Sequence, residues 1–161
     1  MNSSRRPHRN FLASALVLAL LVGPFSSSYA LLDKTRFVAH LGAAYYAFHH
    51  WVLRPYQQGK FTAGAPGRTG GLVKGGLALL FAAHEVKVAQ NIAHKSRDPL
   101  LQKLDAGLAK LTGSFANVGQ NLKAGRFDPQ QITQLDQSTS AIGETAAAGG
   151  TTIKDVKVPV F

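Results

Sequence analysis

Chemistry in this chain would have to come from its histidines. His40, His49 and His50 fall in one apolar stretch and His84 and His94 in the next. If both stretches are helices packed antiparallel around a loop centred near Gly64, position 44 faces position 84. His40 then lies within about one turn (~5 Å) of the level of His84. Two imidazoles on facing helices can ligate haem or a divalent metal in a bundle core. Such sites usually add carboxylates, and only Glu85 is near. The competing reading is that each imidazole hydrogen-bonds a neighbour. His84-Glu85 opens a zinc-protease motif, but its second histidine is replaced by Val88. There is no cysteine, so covalent haem attachment and a thiol nucleophile are excluded. No serine stands in a nucleophile elbow, and glycines 64, 67, 70 and 71 do not make a phosphate loop. The residues therefore point to no catalytic group and no cofactor, with a haem or metal site at His40 and His84 as the alternative.

Aromatic and cationic side chains give a second set of candidates. Tyr45, Tyr46, Phe48, Trp51 and Tyr56 crowd one segment, beside His49, His50 and Arg54. Amphipathic rings next to cations suit a membrane interface or a cation–π surface. They equally suit the rim of a bundle core, where no ligand is needed. Residues 56–71 (YQQGKFTAGAPGRTGG) are punctuated by Gly and Pro and read as a long loop, a candidate flexible basic segment. The candidate ligand-binding residues are Tyr45, Tyr46, Trp51, Arg54, Lys60 and Arg68. Lys87, Lys95, Arg97, Lys103 and Lys110 read as a solvated basic face, and no nucleic-acid module accompanies them.

Helices must position these groups. Asp33 to Arg54 carries Phe37, Leu41, Ala44, Phe48 and Trp51 or Val52 at helical spacing, and Pro55 is expected to stop it. Leu72 to Lys95 is the second helix, with Leu77, Leu80, Phe81, His84, Val88 and Ile92 on its stripe. Gly75-Gly76 weakens its first half or allows a close helix approach. Asp98-Pro99 is a strong helix start. After it Leu104, Leu108, Leu111, Phe115, Val118 and Leu122 alternate by four and three, as in heptad packing, until Gly125. Asp128-Pro129 repeats the start for a fourth helix to about Ala148, whose stripe (Ile132, Leu135, Ile142, Ala146) is thin. Gly149-Gly150 breaks the chain, and residues 151–161 are β-branched and extended. This tail either docks along the bundle or is donated to a partner as a strand. The expected fold is an all-α, up-down-up-down four-helix bundle with an extended C-terminal tail.

Residues 1–30 read as a cleavable signal peptide. Arg5, Arg6 and Arg9 precede an apolar run from Phe11 to Phe25, and Ser28 and Ala30 are small residues at the exit. The expected layout is signal 1–30, bundle 31–148 and tail 149–161. Cleavage near Ala30 leaves 15 basic against 8 acidic residues. An exported basic protein meets anionic membrane, acidic wall polymer or a protein partner. Residues 39–61 (AHLGAAYYAFHHWVLRPYQQGKF), with Gly67-Arg68-Thr69 and Ala82-Ala83-His84-Glu85, resemble small exported helical proteins of high-GC Gram-positive bacteria. That resemblance implies export and a helical fold, and it assigns no activity and no functional residue. The reading as a whole is a secreted or envelope-associated, non-enzymatic binding or structural protein.

Overall fold

The computed structural model describes residues 25–159. Most of the expected signal peptide, residues 1–24, lies outside them, as do Val160 and Phe161 of the tail. The secondary structure of the described residues is all helical: α1 Phe25–Phe48, a π-helical turn His49–Leu53, the short α2 Arg54–Gln57, α3 Arg68–Lys95, α4 Pro99–Lys123 and α5 Pro129–Ala148. The four long helices form the bundle. α3 packs extensively on both α1 and α4, and α5 leans mainly on α4.

The starts of α4 and α5 follow from their caps. The Asp98 carboxylate accepts from the amides of Leu100 and Leu101 at 2.9 and 3.2 Å. Asp128 accepts from Gln130 at 2.9 Å. Each offsets amide donors that a helix start leaves without partners, and Pro follows where no N–H is needed. Gly125 ends the α4 segment at φ 76°, where the Arg126 amide reaches back to the Asn121 carbonyl. The heptad side chains of α4 are all buried, as are Ile132, Leu135, Ile142 and Ala146 of α5.

Three expectations are corrected. First, α1 begins at Phe25 rather than Asp33, because no Gly or Pro interrupts residues 25–41. From residue 29 onward its first buried residue is nevertheless Phe37, and Tyr29, Leu31 and Leu32 stay exposed. Second, Pro55 does not stop the helix. The backbone widens over His49–Leu53, and the Arg54 amide bonds the His49 carbonyl five residues back. A proline ring in an α-helix collides with the carbonyl four residues before it. The wider turn relieves that collision, and the Trp51 carbonyl is turned toward Gly75 of α3. Third, the stripe of α3 is only partly the expected row: Phe81 and Ile92 pack half-buried against the core. Leu77 and His84 are exposed, whereas Leu72, Gly75, Gly76, Ala78, Leu79, Ala82, Ala83, Val86, Ala89 and Ala93 are buried. Small residues let the backbones close up. A Cβ on Gly76 would lie 2.7 Å from the Gly119 carbonyl and 2.6 Å from the Lys123 amide of α4.

The tail docks on its own bundle. The Val156 amide donates to the Gly42 carbonyl at 3.0 Å, and Asp155 lies 3.0 Å from His49 Nδ1. Ile153 packs against the core. Gly42 is what admits it, since a Cβ there would collide with the Lys154 carbonyl and the Val156 side chain.

Candidate functional site

The helix ends that carry the π-turn, α2, the start of α3 and the end of α4 meet at one pole of the bundle. Phe61 holds them together from the loop between α2 and α3. It is fully buried, its ring 5.6 Å from Phe127 and in contact range of Gly71 and Gly75. Tyr56 meets the same Phe127 ring at a tilt, 5.9 Å away. Arg68 Nε donates to the Phe61 carbonyl at 2.9 Å, fixing the start of α3 to the loop. Between Gln58 and Arg68 the loop closes several short-range turns, with Gly59, Gly64 and Gly67 in the left-handed region. The segment expected to be a flexible basic loop is thus pinned by an aromatic anchor.

A cavity of about 140 Å³ opens at this pole. Trp51, Pro55, Phe61, Pro66 and Gly71 line it together with the exposed Lys60 and Lys74. Arg54, Lys123 and Arg126 are exposed on the surrounding helix ends. The nearby carboxylates are already engaged: Asp128 caps α5, and Asp155 faces His49. Other acids are taken up in the same way. Glu85 pairs with His40 at 2.7 Å and Asp105 with His94 at 2.8 Å. Among the described residues the one ion pair made by a lysine or arginine is Lys34–Asp98, at 2.9 Å and at the far end of the bundle. The pole is therefore a concentration of positive charge around aromatic rings.

Of the candidate residues, Trp51, Lys60, Arg54 and Arg68 come together here. Tyr46 joins at the side, its ring stacked on His50 at 5.1 Å, and His50 meets Trp51 edge-on at 5.0 Å. Tyr45 does not join them. It is buried, and its hydroxyl donates to the Thr139 carbonyl of α5 at 2.5 Å. Burial, with Asp155 adding to it, pushes its phenol well above the usual range. Tyr45 closes the seam between α1 and α5 and is not a ligand surface. Phe61, Lys74, Phe127 and Arg126 are the residues that sequence reasoning missed. The signal that could have found Phe61 is a lone large aromatic inside an otherwise polar loop.

The histidine pair is also corrected. His40 meets Glu85, not His84. One residue along a helix is a rotation of about 100°, so His84 projects away from the α1–α3 contact and is exposed. Among the described residues no three His, Cys, Asp or Glu side chains gather as metal ligands would. A second, wider groove between α4 and α5, of about 660 Å³, is lined chiefly by neutral amides and hydroxyls such as Asn117, Gln131, Gln134 and Ser138. No described helix is long and apolar enough to cross a membrane. Compared with protein-family models, curated proteins and solved structures, the chain matches none.

Proposed function

We propose that this is an exported, non-enzymatic binding protein that engages anionic membrane surface or acidic wall polymer through its basic aromatic pole. The observation that carries the reading is the cluster of Arg54, Lys60, Lys74, Lys123 and Arg126, all exposed, while the nearest acids are held by a helix cap and a histidine. Cations held this way remain available to phosphate and carboxylate polymers, and Trp51 and Tyr56 beside them suit the boundary between water and lipid. Export is supported by the basic, apolar and small-residue succession over 1–30.

Co-sedimentation tests the reading. The purified protein should pellet with vesicles containing anionic lipid at low salt and stay in solution with neutral vesicles. Added salt should release it, because charges further apart than ~10 Å are screened at 0.1 M. A phosphodiester wall polymer should compete. Failure to bind either anionic vesicles or the polymer at low salt overturns the proposal.

A further inference from the structure

We infer that the cavity beside Trp51 is a binding site for a small amphipathic anion: an apolar body of about six carbons ending in a carboxylate or phosphate. The inference rests on the reading of this pole as an anion-binding surface and adds a defined ligand class to it.

Size, lining and charge each narrow the occupant. The cavity holds about 140 Å³, close to the ~150 Å³ at which an apolar cavity takes up one benzene ring. Its walls are the rings of Trp51 and Phe61 and the apolar faces of Pro55 and Pro66. A sugar or a free phosphate has no apolar part to place there. The two charged residues in its lining are both lysines, Lys60 and Lys74, whose stems join the apolar wall and whose exposed heads carry positive charge, so a ligand with an anionic head and an apolar tail is complementary and a cationic one is not. The walls are held by the fold itself. Phe61 is anchored against Phe127, and Arg68 fixes the Phe61 carbonyl. Trp51 and Pro55 are set by the π-turn, a feature frequent at functional sites. A site whose walls are in place before the ligand arrives loses little to ordering.

Trp51 is the only tryptophan, so its emission reports on this cavity alone. The probes are hexanoate, 1-hexanol, hexylammonium and acetate, which are optically silent and differ only in head or tail. Hexanoate should give a saturable emission shift. Hexanol should bind about tenfold more weakly, as expected when two exposed charge contacts are lost. Hexylammonium and acetate should give no saturable response. The double variant Lys60→Ala/Lys74→Ala should bring hexanoate down to the hexanol level. Gly71→Val places a side chain in the cavity from a wall where a Cβ has ordinary contact, 3.5 Å from Phe61. It should abolish hexanoate binding in a chain whose helical circular dichroism is unchanged. No saturable shift with hexanoate, an equal shift with hexylammonium, or a shift that survives Gly71→Val overturns the inference. Anionic vesicle binding without hexanoate binding removes this site alone. Hexanoate binding without vesicle or polymer binding removes the surface reading and leaves the site.

Discussion

Asp98 shows how much a single side chain does here. It caps α4 through two amides and pairs with Lys34 of α1, tying two helices at one end of the bundle. Burial pushes its carboxyl up, but the Lys34 ammonium and the Leu101 and Leu100 amides together outweigh that and hold it below the usual aspartate value. A carboxyl depressed in the folded state binds its proton first in the unfolded chain. The stability it contributes is therefore complete above the unfolded value, about pH 4, and is lost as pH falls through the lower folded value. Asp98→Asn keeps a capping oxygen and loses the Lys34 pair. It should be less stable than the parent by roughly 0.5–1 kcal/mol at pH 7. Denaturant titrations at pH 7 and pH 3 should show that gap narrow in acid. The histidines were harder to read at this scale. The sequence put His40 near the right level of α3, but the facing residue is Glu85. Apolar periodicity places a face only to within about one residue, and one residue turns a side chain by ~100°.

At the level of elements, legibility followed side-chain size. Every heptad residue of α4 was visible from its leucines, and the Asp-Pro starts of α4 and α5 fell where they were expected. The buried face of α3 was not visible, because alanine and glycine carry little hydrophobic weight in a pattern. That face is buried through proximity: Gly76 and Gly119 bring two backbones together. Gly76→Ala should cost about 2 kcal/mol, the displacement of α4 exceeding the gain in helix propensity. Gly113→Ala, whose added Cβ meets nothing within 4 Å, should gain about 0.5–1 kcal/mol. Urea unfolding of the two variants separates close packing from simple helix weakness, which would make both stabilising. The π-turn escaped prediction for a related reason. Proline rules assume an α-helical carbonyl position, and the chain around Pro55 widens to avoid it. The tail was placed by need rather than by pattern: its β-branched residues required cover, and Gly42 supplies the opening for it.

Across the whole molecule, the distribution of acids decides the character of the surface. Eight carboxylates face fifteen lysines and arginines after residue 30. Five of the eight are engaged by helix caps, histidines or Lys34. Three carboxylates, Asp33, Asp136 and Glu144, are left against the lysines and arginines, so the net outward charge is positive, and at the π-turn pole it surrounds aromatic walls. The candidate site was partly legible, since Trp51, Arg54, Lys60 and Arg68 do share that pole. Lys74, Lys123 and Arg126 were not: Lys74 lies just past the loop in a helix read by its apolar residues, and Lys123 and Arg126 come from the end of α4 and the link after it, distant in sequence. Net charge alone would bind any anion anywhere on the surface, whereas the account here places binding at one end.

Two triple variants with the same change in net charge separate these cases. Lys60, Lys74 and Lys123 are replaced by Gln in one, and Lys87, Lys95 and Lys103 in the other, and both are titrated with anionic vesicles at low salt. The account predicts a loss of affinity on the order of a hundredfold for the first, at about 1 kcal/mol per lysine near an anionic surface, and little change for the second. Equal losses in the two variants would contradict it.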